Sequence, residues 1–131
     1  MLDFSPMTVH QFPFTYRRLT MIIDHRTYNI KIGKLGEFLK LYENECLPLQ
    51  LKHLGHCVGW YVSNEIGPLS QVVHMWAYEN LADRDARRAK MAAEPGFAKY
   101  LEQAGPLLVT MENKILKPAP FFKVPELKGR G

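Results

Sequence analysis

The sequence predicts an α+β domain built from four strands and two helical regions in the order βαββαβ. Four stretches rich in β-branched and aromatic residues are typical of strands, and two stretches with apolar residues at helical spacing lie between them. A short turn, Glu65-Ile66-Gly67-Pro68, separates the second strand from the third, so these strands should form an antiparallel hairpin. This order is the split βαβ arrangement of a ferredoxin-like domain with a four-stranded antiparallel sheet.

The first strand is predicted for Met21–Asn29, where side chains should alternate between the two faces of the sheet. One face then carries Ile22, Asp24, Arg26 and Tyr28. A helix is predicted from Lys34 onward because apolar residues recur there at every third or fourth position. These residues are Leu35, Phe38, Leu39, Tyr42, Cys46 and Leu49. Pro48 should kink or end this helix near Leu47, since a proline inside a helix removes a hydrogen bond and clashes with the preceding turn.

The second strand is predicted for His56–Asn64, and the third follows the Gly67-Pro68 turn and ends at Tyr78. The third strand is largely apolar on both faces and should therefore be buried on both sides. One of its faces carries Val72, His74, Trp76 and Tyr78. Three of these side chains have a polar group, so this face is either a hydrogen-bonded core or the wall of a pocket.

The second helix is predicted to follow Asn80, with this residue as its N-cap and Asp83 in its first turn. A stripe of small residues along this helix would let it lie close against the sheet. This alanine stripe consists of Ala82, Ala86, Ala89 and Ala93. The residues that lie away from it are Arg84, Arg87, Arg88 and Met91. A short helix at Phe97–Gln103 and a fourth strand at Leu107–Leu116 complete the domain.

Residues 1–20 are predicted to be an N-terminal extension, residues 21–122 the domain, and residues 123–131 a C-terminal tail. Most of the formal charge of +4 lies in the two end segments, so the domain is close to neutral and nucleic-acid binding is not expected. No stretch has the length of a membrane span, and no signal peptide is predicted. Two cysteines, Cys46 and Cys57, indicate no disulfide framework and favour a reducing compartment, so a cytoplasmic location is predicted.

A ferredoxin-like sheet that is covered by helices on one side leaves its other face bare. Tyr28, Trp76 and Tyr78 are predicted for this face, with Trp60 as a further candidate, and they would make it an apolar interaction surface. Two such sheets packed face to face would form a symmetric homodimer and enclose a space for a ligand.

Several short runs, spread over about residues 21–122, carry a resemblance to a known family. They are Gln50-Leu-Lys-His53-Leu-Gly55, Glu65-Ile-Gly67-Pro-Leu69, Gln71-Val-Val-His74-Met-Trp76-Ala-Tyr78, Pro106-Leu-Leu108 and Glu112-Asn113, together with Tyr28, Gly33, Gly59, Arg84 and Arg88. In these runs the chain resembles the NIPSNAP family, and the resemblance implies a dimeric α/β barrel of ferredoxin-like halves. One departure is Ser70, where the family usually has asparagine.

The resemblance does not by itself imply an activity. Similar dimeric α/β barrels include cofactor-free antibiotic-biosynthesis monooxygenases, haem-degrading monooxygenases and muconolactone-type isomerases, as well as proteins with no known reaction. A fold shared with such proteins is an analogy, and a function has to be argued from the site itself.

If the helices pack on the aliphatic faces of the strands, one set of polar and aromatic side chains faces the interior of the barrel. The set is Arg26, Tyr28, His74, Trp76, Tyr78, Thr110 and Glu112. In a catalytic interpretation His74 is a general acid or base, Glu112 orients it, and Arg26 holds an acidic or enolic group. Tyr28, Trp76 and Tyr78 would clamp an aromatic or apolar body. Arg84, Arg87 and Arg88 could bind an anionic ligand at the mouth of the pocket. Arginines beside Asp83 and Asp85 more often form a solvated helix face with local ion pairs.

The alternative interpretation is structural. Arg26 and Glu112 would form an internal ion pair, and His74 would be hydrogen-bonded within the core. This interpretation is favoured over catalysis because no nucleophile–base spacing is recognisable. The histidines lack the framework of a zinc site, so neither a metal nor a cofactor is predicted.

The sequence therefore predicts a homodimer that binds a small apolar or aromatic molecule in a pocket between the sheet and the helices. One alternative is a cofactor-independent monooxygenase or isomerase that uses His74. A second alternative is a non-catalytic structural or protein-interaction module.

Overall fold

The computed structural model describes residues 21–122 and confirms the predicted order of elements. The strands are β1 (Ile22–Ile30), β2 (His56–Ser63), β3 (Gln71–Tyr78) and β4 (Leu108–Leu116). The helices are α1 (Leu35–Leu41), α2 (Leu47–His53), α3 (Leu81–Ala92) and α4 (Pro95–Ala104), with a π-helical segment (Tyr42–Cys46) and a 3-10 turn (Gly105–Leu107). The strands form one antiparallel sheet in the order β2-β3-β1-β4, as a ferredoxin-like fold requires. The predicted extension and tail lie outside the described residues.

The first helical region does not end at Leu47, where the sequence predicted a kink or a break. It continues from α1 through the π-helical segment into α2, and Pro48 lies in the first turn of α2. A π-turn uses hydrogen bonds between residues five apart, so the α-helical pattern restarts just before the proline. Proline is tolerated at that position because the first N–H groups of a helix need no partner within it. The π-helical segment also buries Tyr42 and Cys46.

The side of α3 that faces the protein interior is not the predicted alanine stripe. All four alanines of the stripe are exposed, whereas Met91 is buried and Arg84, Arg87 and Arg88 are half-buried. The physical reason is a carboxylate beneath the helix. Asp24 of β1 is fully buried, and Arg84 Nε donates a hydrogen bond to its Oδ2 over 2.9 Å. Arginine stems can cover apolar surface while their charged ends are paired.

The aromatic face of β3 lies under the helices, and its predicted place on the bare side of the sheet is therefore wrong. Val72, His74 and Trp76 are fully buried. Tyr78, and Tyr28 on β1, are 2% and 6% exposed. Their rings fill the space between sheet and helices, where large side chains contribute most to burial. The core clusters of the described residues include no side chain from the opposite face. That opposite face, the bare sheet face, carries Ile23, Thr27, Tyr61, Val73 and Met75.

Ser70 adopts a left-handed backbone conformation, with φ of 59°. In this conformation its carbonyl accepts a hydrogen bond from the Ile30 N–H over 2.8 Å, which ties the hairpin loop to β1. Asparagine is enriched among the non-glycine residues that adopt this conformation, which gives a physical reason for asparagine at this position.

Ser70→Asn is expected to raise the free energy of unfolding by roughly 0.5 kcal/mol, because asparagine relieves part of the backbone strain. Thermal or urea denaturation would measure the change. Ser70→Ala is the matched control and should be no more stable than the wild type. An asparagine variant less stable than the wild type would contradict this explanation.

Candidate functional site

A cavity of about 270 Å³ lies between the sheet and the helices. Its apolar wall consists of Met91, Phe97, Leu101, Ala104, Leu108 and Met111. Its polar groups come from Arg26, Tyr28, Tyr42, Cys46, Gln50, Arg88 and Tyr100. Two arginines thus line the cavity, and none of the described residues around it is an aspartate or a glutamate. The cavity is therefore apolar and aromatic with a positively charged part.

Arg26 and Tyr28 lie next to each other on the cavity side of β1, because residues two apart on a strand share a face. Arg26 Nε donates a hydrogen bond to the Tyr28 hydroxyl over 2.8 Å. Burial raises the pKa of Tyr28, so the phenol keeps its proton although the Arg26 charge acts in the opposite direction. The hydroxyl accepts from Arg26, and its own proton has no acceptor among residues 21–122. It can therefore be donated to a bound molecule.

Asp24 anchors the charged part of the site from below. It accepts hydrogen bonds from Arg26 Nη1 over 3.1 Å, Arg84 Nε over 2.9 Å and Asn113 Nδ2 over 2.9 Å. Burial alone would raise the pKa of Asp24, but the hydrogen bonds from Asn113 and Arg84 and the charges of both arginines lower it overall. The carboxylate therefore stays ionised and fixes both guanidinium groups. Arg84, predicted at the mouth of a pocket, is held in this network and also pairs with Asp85.

His74 is fully buried behind the cavity wall. Trp76 Nε1 donates a hydrogen bond to His74 Nδ1 over 2.8 Å, so the imidazole carries its proton on Nε2. Its ring stacks on Trp60, with 5.1 Å between ring centroids, and meets the edges of Tyr28 and Tyr42. Burial, with a contribution from the Arg26 charge, lowers the pKa of His74 to about 3. His74 is therefore neutral at neutral pH and can donate only from Nε2.

Thr110 and Glu112 do not lie on the face that carries His74. In the register of the sheet, Glu112 is opposite Thr27, whereas His74 is opposite Arg26. Successive residues of a strand point to opposite faces, so Glu112 projects away from the helices and is exposed. The predicted contact between His74 and Glu112 and the predicted ion pair between Arg26 and Glu112 are both wrong. The partner of Arg26 is Asp24.

The predicted site did not include Gln50 or Tyr100, and it contained Arg88 only together with Arg84 and Arg87, as an anion-binding group at the pocket mouth. Gln50 accepts a hydrogen bond from the Tyr42 hydroxyl. Gln50 follows Tyr42 and Cys46 at the same spacing of four residues, and this spacing could have placed it on the helical face predicted for those two. Burial raises the pKa of the Cys46 thiol to about 12, so it remains protonated and does not act as a nucleophile.

Trp76 and Tyr78 belong to the neighbouring part of the core and do not line the cavity. They pack with Ile22, Leu54 and Met91, on the far side of His74. The structure thus brings two of the predicted site residues, Arg26 and Tyr28, to the cavity wall.

Among residues 21–122, no three histidine, cysteine, aspartate or glutamate side chains are grouped so that they could hold a metal ion. None of the helices described in that range has the length and apolar character needed to cross a membrane.

Comparisons with known proteins agree with this fold. The NIPSNAP family model matches residues 23–123. The protein NipSnap homolog of Dictyostelium discoideum is 31% identical over 93 residues, which are 71% of this chain and 40% of that protein. This chain therefore spans well under half the length of that relative.

Two solved structures match over most of their length. A NIPSNAP-like domain protein from Burkholderia xenovorans is 39% identical, with a TM-score of 0.77 over 86% of this chain and 96% of the other. A NIPSNAP family protein from Agrobacterium tumefaciens is 41% identical, with a TM-score of 0.72 over 76% of this chain and 93% of the other.

Proposed function

This chain belongs to the NIPSNAP family, and on that premise we propose that it is a homodimer that binds a small apolar or aromatic molecule between its sheet and its helices. The observation that carries the proposal is the cavity beneath the helices. Its volume of about 270 Å³ is slightly below the range of about 300–1,000 Å³ typical of ligand pockets, which favours a small molecule.

The composition of the cavity wall supports binding of an apolar or aromatic body. Phe97, Tyr100 and Met111 give it wide apolar surfaces, while a few polar groups at one side could fix the orientation of a ligand. Binding without turnover is preferred to catalysis by His74. The acceptor nitrogen of His74 is already occupied by Trp76, and no carboxylate of the described residues contacts the imidazole.

The bare sheet face supports dimerisation. Val73 and Met75 lie at its centre, and Tyr61, which is 60% exposed, extends it across β2. Polar side chains lie toward one end of this face, where Asn29 Nδ2 donates to Thr110 Oγ1 and Gln71 Nε2 donates to Asn29 Oδ1. An apolar centre beside a polar margin is the usual composition of a protein interface. A second copy of the same face would cover it in a symmetric dimer.

Native mass spectrometry of the freshly purified full chain tests both parts of the proposal. The expected result is a dimer that carries one small molecule per protomer, which denaturing analysis would release and identify. A dimer that never carries a small molecule, even after incubation with candidate ligands, would support a structural or interaction module and contradict ligand binding. A monomer would contradict the proposed dimer.

Val73→Lys is expected to convert the dimer to a monomer, because it places a charge at the centre of the bare sheet face. Ile66→Lys is the matched control. Ile66 is 90% exposed in the loop between β2 and β3, so this variant should remain dimeric. Circular dichroism would show whether both variants remain folded. A folded Val73→Lys variant that is still a dimer would place the interface elsewhere.

A further inference from the structure

Positive and negative groups are not balanced beside the cavity. Arg26 and Arg84 share the single carboxylate of Asp24, and Arg84 has Asp85 as a second partner over 2.9 Å. Arg88 lines the cavity but forms no ion pair with any carboxylate of residues 21–122. Within residues 21–122, these contacts leave the guanidinium charge of Arg88 without a counterion.

The side chain of Arg88 extends from α3 toward the sheet. It is half-buried, and it shares the cavity wall with Tyr28 and Arg26. Burial raises the pKa of Tyr78, and among the effects that lower this pKa the charge of Arg88 is the largest. This is expected for a guanidinium close to the buried rings. A charge in such surroundings is stabilised by an anion that can approach it closely.

The hydrogen-bonding groups on this side of the cavity are mainly donors. The Tyr28 hydroxyl accepts from Arg26 and has its own proton to donate, and the Arg88 guanidinium can only donate. The side-chain oxygen of Gln50 already accepts from Tyr42. The best complement to these groups is one that only accepts hydrogen bonds, and a carboxylate does so in a plane that matches a guanidinium.

We propose that the ligand of this cavity is a monocarboxylate with an aromatic or aliphatic body, whose carboxylate binds Arg88 and accepts a hydrogen bond from Tyr28. This inference rests on the proposed ligand-binding function and adds the chemical class of the ligand. A single negative charge matches the Arg88 guanidinium, which has no counterion among the described residues, whereas a phosphate monoester would carry nearly twice that charge. The apolar body would lie against Phe97 and Tyr100.

Calorimetric titration of the full chain with two matched probes tests the inference. The probes are 3-phenylpropionate and its neutral amide, 3-phenylpropanamide, which have nearly the same shape. The acid is expected to bind at least about tenfold more tightly than the amide, as a charged hydrogen-bonded pair implies. Arg88→Gln should weaken binding of the acid by roughly 10- to 100-fold and leave the affinity for the amide nearly unchanged.

Arg87→Gln is the matched control on the same helix. Arg87 pairs with Asp83 over 2.9 Å and does not line the cavity, so this variant should keep the preference for the acid. Arg88→Lys keeps the charge but loses the planar guanidinium, and its affinity for the acid should lie between those of the wild type and Arg88→Gln. Thermal denaturation would establish that each variant is folded before the affinities are compared.

The outcomes separate this inference from the proposed function. Equal binding of acid and amide, or a preference for the acid that survives in Arg88→Gln, would overturn the carboxylate inference and leave the cavity as a binding site. Release of a neutral molecule in native mass spectrometry would have the same meaning. If neither probe binds and no molecule is released, the proposed function fails together with the inference.

Discussion

Asp24→Asn is expected to lower the free energy of unfolding by about 3–5 kcal/mol, the typical cost of removing one partner from a buried ionic network. Asparagine has nearly the same shape as aspartate but no charge. The variant would therefore keep Arg26 and Arg84 in place without the carboxylate that they share. The asparagine amide group would also bring donors toward a site that is already occupied by the donors of Asn113 and both arginines.

Urea denaturation of wild type and variant at pH 7 measures this loss. Asp85→Asn is the matched control, because Asp85 pairs with the same Arg84 but its side chain is 70% exposed. Exposed ion pairs contribute about 0–1 kcal/mol, so the control should stay close to the wild type. If Asp24→Asn cost no more than Asp85→Asn, the network would not be a main support of the fold.

The same carboxylate predicts a pH dependence below about pH 4. The pKa of Asp24 is lower in the folded protein than in the unfolded chain, so the unfolded chain takes up a proton first as the pH falls. The stabilisation is thus fully present above the unfolded pKa of about 3.9 and is lost as the pH falls through the folded pKa. The Asp24→Asn variant should lack this loss.

Acidification from about pH 6.5 to pH 5 is expected to destabilise the protein through His74, by up to about 1.4 kcal/mol per pH unit. Burial and the charge of Arg26 lower the pKa of His74 to about 3 in the folded protein, whereas an exposed histidine titrates near pH 6.5. In this range the unfolded chain binds a proton that the folded protein excludes. Stability is therefore greatest above the unfolded pKa and decreases toward the folded one.

His74→Gln should remove this slope, because glutamine has no proton to take up and keeps an oxygen that can accept from Trp76 Nε1. His56→Gln is the matched control, because it replaces a half-buried histidine at the start of β2 and leaves His74 in place. The slope should therefore remain in this variant. Urea denaturation at pH 7.0, 6.0 and 5.0 keeps the measurement above the range in which Asp24 titrates. An unchanged slope in His74→Gln would assign the pH dependence to other groups.

The sequence alone determined the elements and their order, since both depend on local patterns. Alternation and helical spacing identified the four strands and the helical regions. The predicted N-cap is confirmed in the same way, because Asn80 Oδ1 accepts a hydrogen bond from the Asp83 N–H over 2.8 Å. The sequence also showed that His74, Trp76 and Tyr78 share a face, which follows from the period of a strand.

Only the tertiary structure decided which face of the sheet the helices cover. Alternation identifies two sets of side chains but does not distinguish the side that the helices occupy, and here the aromatic set is the covered one. The register of β4 against β1 was likewise not readable from either strand alone. That register places Asn113 on the side of Asp24 and Glu112 on the bare side.

The cavity shows the same division between local and tertiary information. Arg26 and Tyr28 were predictable because they share a face of β1, whereas no local pattern distinguished the cavity-lining arginine of α3, Arg88, from Arg84 and Arg87. The inward orientation of Arg88 depends on α3 packing with its arginines above Asp24, and this contact joins residues 60 positions apart in the chain. Local periodicity thus determined which side chains share a face of a strand or helix. The ion pairs between distant residues and the packing of the helices on the sheet determined which of these faces line the cavity.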